Sequence, residues 1–121
     1  RLPLMLCHRD FWVTNIFNEG GSTVLIDWDT AGWGRMGEDI ASLIADEADV
    51  SWMAEYYHRC VPAYYKGFSE YADVSGITDP CVRDMMLMNY GFRLAAWHMT
   101  AETAEEKALQ AGTLQKIYEI Q

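Results

Sequence analysis

Three polar side chains near the start of the chain have the types and the spacing that phosphoryl transfer requires. Asp10 precedes Asn15 by five positions, and Asp27 follows about one hairpin further on. Phosphoryl transfer from a magnesium nucleotide needs one carboxylate to accept or orient the proton of the attacking hydroxyl. It also needs an amide oxygen and a second carboxylate to hold the metal against the phosphates. The pattern therefore predicts a site for this chemistry.

The residues around Asp10 also match a known motif. Positions 8–10 are His-Arg-Asp and Asn15 follows, which fits the pattern H-R-D-x-x-x-x-N, while Asp27 stands where kinases carry the aspartate of D-F-G. The segment resembles the catalytic loop and metal-binding turn of the protein-kinase-like fold. Within that fold it is most similar to the aminoglycoside phosphotransferase and choline kinase branch.

Two features favour this branch over the protein kinases. Trp-Asp at 28–29 replaces Phe-Gly, and Gly-Glu-Asp-Ile-Ala at 37–41 looks like the branch's Asp-Leu-Ala motif. The spacing leaves no room for a protein-kinase activation segment, and no Ala-Pro-Glu follows. Two positions depart from the branch, because Arg9 replaces a residue that is commonly small and Thr14 replaces a frequent glycine.

The resemblance implies a role for each matched residue. Asp10 is expected to be the catalytic base, and Asn15 and Asp27 the magnesium ligands. His8 is expected to hold the loop by packing and hydrogen bonding, and Asp39 to brace it from the start of a helix. The implied cofactors are Mg²⁺ and ATP, or another nucleoside triphosphate.

Other acidic residues have alternative interpretations. Asp29 is either a second carboxylate of the metal site or a helper that hydrogen-bonds the loop. Positions 36–58 contain six acids and no lysine or arginine. This run predicts either a groove for a cationic substrate or a solvated face, and the solvated face is favoured because charge runs usually face solvent. If the groove exists, the acids nearest the site are Glu38, Asp46 and Glu47.

The position of the loop bears on domain organisation. At 121 residues the chain is long enough for one domain with its own core. In kinase-like proteins the lobe that grips the nucleotide precedes the catalytic loop, which arrives here within ten residues. We therefore expect residues 1–121 to form a C-terminal lobe whose N-terminal partner lobe is absent. An apolar lobe-lobe surface would then allow the isolated fragment to self-associate.

The predicted fold class is α+β, mainly α, with a small β-hairpin that carries the site and packs on about four or five helices. Apolar residues at 4–7 predict a strand, and β-branched runs around Gly20 and Gly21 predict a hairpin over 15–27. A glycine-bearing loop is expected over 30–36, in which Trp33 either lies over the site or packs on the core, with core packing favoured. Helices are expected over 38–48, 51–71 with a break near Cys60 caused by Pro62, 82–100 as the central buried helix, and 103–120.

Helix start signals refine these boundaries. Asp49 or Ser51 is a candidate N-cap for the second helix, and the Thr-Asp-Pro sequence at 78–80 predicts the start of the third. Thr103 and Glu106 have the spacing of a capping box at the start of the last helix.

Composition limits the classes of partner. The net charge of −9 argues against nucleic-acid binding, which requires a basic face, and suits either a cationic partner or simple solubility. Three widely spaced cysteines without a C-x-x-C motif predict reduced thiols in the cytoplasm. No uninterrupted apolar run has the length of a membrane span, so no membrane association is expected.

The sequence therefore predicts part of an ATP-dependent phosphotransferase with a small-molecule hydroxyl acceptor, of the aminoglycoside-like or amino-alcohol type. We expect the 121-residue fragment alone to be inactive. The alternative is a noncatalytic kinase-like scaffold or binding module, which would usually have lost one of the three polar residues. A protein kinase is disfavoured by the missing activation segment.

Overall fold

A computed structural model describes residues 2–47, 49–76 and 80–120, and the side chains of all these except Asp46, Glu47 and Pro80. Within these ranges the strands are β1 (Leu4–Cys7), β2 (Ile16–Glu19), β3 (Ser22–Leu25) and β4 (Gly32–Arg35). The α-helices are α1 (Glu38–Ser42), α2 (Met53–Ser69), α3 (Pro80–Met86), α4 (Phe92–Thr100) and α5 (Ala104–Glu119). Single turns of other helical types span Val13–Asn15 (3₁₀) and Leu43–Glu47 and Leu87–Gly91 (π). This mostly helical architecture with two small antiparallel sheets agrees with the predicted α+β class.

The predicted hairpin is present as β2 and β3. Its two-residue turn is Gly20-Gly21, and both glycines have positive φ, at 59° and 85°. A type I′ hairpin turn needs positive φ at both central positions, which glycine adopts without steric cost. Ile16 pairs with Leu25, so Asn15 and Asp27 flank the same open end of the hairpin.

The second sheet corrects the prediction of a loop over 30–36. Residues 32–35 form β4, which pairs antiparallel with β1. A Cβ on Gly34 would lie 2.6 Å from Oε2 of Glu38 and 2.8 Å from Sγ of Cys7, so the close approach of these groups requires glycine. Gly32 and Gly34 lower the strand propensity of this segment, so the sequence pattern did not predict β4. Trp33 is 76% exposed opposite Leu6 on β1, and the prediction that it packs on the core is wrong.

The core lies between the helices. In α2 the buried side chains Met53, Tyr57 and Val61 repeat every four residues, as one helix face requires. They pack with buried residues of α1, α3, α4 and α5 in one cluster that includes Ile40 and Ile117. Helix α1 also contacts α3, and α4 contacts α5. The helices therefore form the platform on which the two small sheets sit.

Three helix predictions need correction. The helix predicted over 38–48 is α-helical only to Ser42 and then becomes a π turn. The break predicted near Cys60 is absent, because α2 continues through Pro62. Pro62 and His58 lie on the exposed side, where water can bond the His58 carbonyl that the missing proline N–H leaves unpaired.

The third correction concerns the helix predicted over 82–100. It is divided by the π turn Leu87–Gly91, and its second half is not buried on most faces, since Phe92 and Met99 are each 82% exposed. The proposed N-cap signal at Thr78 and Asp79 lies outside the described residues. No helix in the described ranges is both long and apolar enough to cross a membrane.

Of the helix-start predictions, the capping box at α5 is confirmed. Thr103 Oγ1 accepts a hydrogen bond from the Glu106 N–H at 3.1 Å, and Glu106 Oε2 accepts one from the Thr103 N–H at 3.0 Å. At α2 the predicted caps are not used as such, because Asp49 accepts from Ser51 in a local turn and Trp52 precedes the helix without a side-chain cap.

The capping box generates a stability prediction. Thr103→Ala should lower the free energy of unfolding by about 1 kcal/mol, because the Glu106 N–H loses its acceptor. Thr100→Ala is the matched control, since the Thr100 hydroxyl only donates back to carbonyls of its own helix. Urea denaturation of the three proteins provides the measurement, and equal midpoints for the two variants would contradict the capping assignment.

The other half of the box gives a pH dependence. Hydrogen bonds from the Thr103 N–H and hydroxyl and from the Glu102 N–H hold the pKa of Glu106 below its ordinary value of 4.5. A depressed pKa contributes stability above the unfolded value, and that stability is lost as the pH falls through the folded pKa. Glu106→Gln should therefore be less stable than wild type at pH 7 and approach it below about pH 4. A constant difference across this pH range in thermal melts would argue against the effect.

Candidate active site

The loop that carries the His-Arg-Asp motif, residues 8–15, is fixed to helix α1 by one carboxylate. Oδ2 of Asp39 accepts a hydrogen bond from the His8 N–H, and Oδ1 accepts one from the Arg9 N–H, both at 2.8 Å. Arg9 has φ of +67°, a left-handed conformation that is uncommon outside glycine. The two charge-assisted hydrogen bonds hold the backbone in this conformation, and they place Asp39 in the position expected of a brace.

His8 connects the loop to the end of the hairpin. Its ring is 2% exposed, and Nε2 lies 2.8 Å from the carbonyl oxygen of Ile26. Because a carbonyl only accepts, Nε2 must carry the proton. The ring also packs against Trp28, at 4.6 Å between centroids, and more distantly against Phe11. Nδ1 is buried and has no hydrogen-bond partner among the described residues.

Asn15 lies directly on Asp10. Nδ2 of Asn15 donates to the Asp10 carbonyl at 3.0 Å and to Oδ2 of Asp10 at 3.2 Å. The Asn15 carbonyl also accepts from the Ile26 N–H at 3.1 Å, which ties this residue to the opposite strand at the open end of the hairpin. Since the amide nitrogen faces Asp10, the amide oxygen on the other branch of the side chain is directed away from it. The Asn15 amide therefore fixes the orientation of the Asp10 carboxylate by holding one of its oxygens.

Asp29 is the main charged neighbour of Asp27. Asp27 has a left-handed φ of +64°, and its side chain hydrogen-bonds that of Asp29. The hydrogen bond and the charge of Asp29 raise the pKa of the Asp27 carboxyl, the charge of Asp10 adds a smaller effect in the same direction, and His8 opposes the shift. Asp27 and Asp29 therefore form a pair at the open end of the hairpin, and Asp10 acts on it more weakly.

The donor atoms in this cluster fit a magnesium ion. Mg²⁺ prefers hard oxygen ligands and usually takes only one or two carboxylates from the protein, with phosphate and water completing its shell. Repulsion between Asp27 and Asp29 is the kind that a divalent cation would relieve. Within the described ranges no three His, Cys, Asp or Glu side chains form a metal site by themselves. Asn15, which is not among those types, and the phosphates of a nucleotide would have to supply further oxygens.

A polar groove of about 290 Å³ opens beside the loop. Asp39 forms part of its wall, and the other lining residues are Arg9, Glu38, Ser42, Asn89, Tyr90 and Arg93. Oε2 of Glu38 accepts from the Arg35 N–H at 3.0 Å, and its Oε1 lies 3.8 Å from Nε of Arg9. Both acids in the groove therefore already have N–H partners.

Only part of the acidic run at 36–58 lines this groove. Asp49 accepts from Ser51 in an exposed turn, and Glu55 pairs with Arg59 at 2.9 Å on α2. The side chains of Asp46 and Glu47 lie outside the described residues. Among the described acids of the run, only Glu38 and Asp39 are groove residues.

Cys7 is buried beside the loop, and its thiol is not suited to act as a nucleophile. Burial, followed by the charges of Asp39 and Glu38, raises the pKa of its thiol to about 12. The thiol therefore stays protonated at neutral pH and is a poor nucleophile.

Sequence reasoning missed three residues that support the site. Thr30 donates to the His8 carbonyl at 3.1 Å, Tyr64 accepts from the Gly37 N–H at 3.0 Å just before α1, and Arg93 enters the groove from α4. Arg93 had a detectable signal, because it is a single cation inside an otherwise apolar segment. Thr30 and Tyr64 had none, since their partners are distant in sequence.

The Asp39 contacts generate a prediction. Asp39→Asn should lower the free energy of unfolding by about 1–3 kcal/mol, because an amide nitrogen would face a backbone N–H and leave it without an acceptor. Asp84→Asn, which alters an exposed ion pair with Arg83, is the matched control and should change stability little. Chemical denaturation gives the energies, and amide hydrogen exchange at His8 and Arg9 localises the effect. Unchanged exchange at both amides would contradict the bracing role.

Comparison with known proteins places this site in a family. The model of the phosphotransferase enzyme family matches residues 1–76, which is more than half of the chain and includes the loop, the hairpin and helix α2. The comparisons with curated proteins and with solved structures gave no match. The match extends well beyond the motif residues and agrees with their resemblance to aminoglycoside phosphotransferases and choline kinases. The chain therefore belongs to the phosphotransferase enzyme family.

Proposed function

We propose that the protein acts as an ATP-dependent kinase that transfers the γ-phosphoryl group to a hydroxyl of a small molecule. The observation that carries the proposal is that the hydrogen-bonded Asp10–Asn15 pair and the Asp27–Asp29 pair both lie at the open end of the hairpin, where Asn15 is bonded to Ile26. In-line transfer needs little covalent help from the protein and depends on positioned charges. This cluster provides such charges on a loop that Asp39 and His8 hold in place.

Asp10 is the proposed base. One of its oxygens is held by the Asn15 amide, so the carboxylate has a defined orientation when the acceptor hydroxyl approaches. A carboxylate in hydrogen-bond reach of that hydroxyl accepts its proton as the oxygen attacks phosphorus. The orientation by Asn15 removes the need to order Asp10 during the reaction.

Asn15, Asp27 and Asp29 are the residues that would hold magnesium. When bound, the ion supplies positive charge against the phosphates. The left-handed backbone at Asp27 supports this assignment, because strained non-glycine residues concentrate at functional sites. Asp29 would act either as a further ligand of the ion or as the group that orients Asp27.

The first test of the proposal is Asp10→Asn in the intact protein that contains this chain. Loss of the base should lower kcat by about a hundredfold to ten thousandfold and leave the KM for ATP nearly unchanged. The assay follows ATP-dependent phosphorylation of a panel of hydroxyl compounds, with Asp84→Asn as the control for an exposed aspartate. Retention of wild-type kcat by Asp10→Asn would reject the assignment.

The second test concerns the metal. Asp29→Asn should raise the Mg²⁺ concentration for half-maximal activity by about 10- to 100-fold, because Asp27 loses the partner that orients it or shares the ion. Calorimetric titration of Mg²⁺ in the presence of nucleotide gives the same comparison without turnover. Identical titrations for wild type and Asp29→Asn would remove Asp29 from the metal site.

A further inference from the structure

The backbone that leads into helix α1 is held by acceptors from three different parts of the chain. The N–H groups of residues 35 and 36 donate to the carboxylate of Glu38 and to the Pro3 carbonyl, each at 3.0 Å. The Gly37 N–H donates to the Tyr64 hydroxyl, also at 3.0 Å. Of these three acceptors, the hydroxyl is the one that belongs to a long helix of the core, because Tyr64 lies in α2.

Gly37 needs a distant acceptor because helix α1 has no local one for it. Gly37 is the N-cap of α1, with a φ of +91°, and glycine has no side chain that could cap the helix. In a capping box, a Glu or Gln side chain at the third helical position accepts the N-cap N–H. The third position of α1 is Ile40, which is buried in the core and offers no acceptor. The Tyr64 hydroxyl therefore takes the place of the carboxylate that caps α5.

The same hydroxyl contacts strand β1. Tyr64 donates to Sδ of Met5 at 3.4 Å. A hydroxyl oxygen can accept one hydrogen bond while it donates another, so both contacts form together. Burial raises the pKa of Tyr64, although the bond from the Gly37 N–H acts in the opposite direction. The hydroxyl therefore keeps its proton at neutral pH and bridges the strand to the start of the helix.

The carboxylate of Asp39 makes a second side-chain connection between the same two parts of the chain. It accepts the N–H groups of His8 and Arg9, which directly follow β1. Tyr64 thus joins strand and helix at residues 5 and 37, and Asp39 joins them at residues 8, 9 and 39. Connections at two separate points resist a tilt of α1 against β1 that either connection alone would permit more easily.

Tyr64 is itself held by the core. Met53, Tyr57 and Val61 form the buried face of α2, and Tyr64 extends that face by three residues. Its ring packs against the core cluster and stacks on Phe68, at 6.2 Å between centroids. The position of the hydroxyl is therefore set by the packed helices and not by the loop.

We propose that the Tyr64 hydroxyl is a positioning group of the active site, which fixes the start of α1 and so directs the Asp39 carboxylate at the loop. The inference rests on the proposed function for its effect on turnover. Asp10 directly follows Arg9, so a displaced Asp39 would move the backbone that carries the proposed base. Phosphoryl transfer depends on positioning, and a displacement of about 1 Å can lower a rate by about a hundredfold.

The first measurement is amide hydrogen exchange in the 121-residue chain with Tyr64→Phe. This substitution removes the hydroxyl and keeps the stacked ring. Exchange should become about 3- to 10-fold faster at Gly37, which loses its acceptor, and also at His8 and Arg9, whose acceptor shifts. Unchanged exchange at His8 and Arg9 would overturn the proposal.

Controls separate this local effect from a general loss of stability. Val61 and Ile117 are buried in α2 and α5, so exchange of their amides reports unfolding of the core and should change less. Tyr56→Phe is the matched variant, because Tyr56 lies on the same helix with an exposed side chain. Equal acceleration at the loop and core amides would overturn the positioning role.

A double variant tests whether Tyr64 acts through Asp39. Asp39→Ala removes both acceptor oxygens, so adding Tyr64→Phe to it should accelerate exchange at His8 and Arg9 by less than about twofold more. If the two effects simply multiplied, Tyr64 would act on the loop by another route, and the proposed link would be wrong.

The last measurement is turnover in the intact protein that contains this chain. Tyr64→Phe should lower kcat per folded molecule by about tenfold and leave the KM for ATP nearly unchanged, while Tyr56→Phe keeps the wild-type kcat. Faster loop exchange with a wild-type kcat would overturn the positioning role. A wild-type protein without phosphotransfer would instead contradict the proposed function, and the exchange pattern would then confirm or overturn the link from Tyr64 to the loop.

Discussion

The carboxylate of Asp39 is the contact on which the rest of the site depends. Asp39 lies in the first turn of helix α1, whose buried face belongs to the helical core, and its carboxylate accepts the backbone N–H groups of two consecutive loop residues, His8 and Arg9. Charge-assisted hydrogen bonds of this type are stronger than neutral ones. The rigidity of the packed helices is thereby transmitted to the loop that carries Asp10.

Two hydrogen bonds to Ile26 attach the hairpin to this loop. His8 donates to the Ile26 carbonyl, and the Asn15 carbonyl accepts from the Ile26 N–H, so the residue that directly follows β3 is held from both sides. Asp27 comes next in a left-handed conformation, which costs on the order of 1–3 kcal/mol in a non-glycine residue. The contacts of His8 and Asn15 therefore fix the backbone directly before Asp27.

Charge is distributed in opposite ways on the two sides of the loop. At the open end of the hairpin, Asp29 and, more weakly, Asp10 raise the pKa of Asp27. In the groove, Arg9 and Arg93 share the lining with Glu38 and Asp39, whose oxygens accept backbone N–H groups.

The sequence by itself determined the features that depend on local chemistry: the spacing of Asp10, Asn15 and Asp27, the Gly20-Gly21 turn, and the capping box of α5, whose partners lie within a few residues of each other. Tertiary structure decided the rest. Strand β4 was not predicted because Gly32 and Gly34 have low strand propensity, and Gly34 is required by contacts with Cys7 and Glu38 that no local pattern records. The course of α2 through Pro62 depended on which side of the helix faces solvent. The meeting of Arg9 with Arg93, 84 positions apart in the sequence, depended on how α4 packs beside the loop, because side chains so distant in the chain are brought together only by the packing of the whole core.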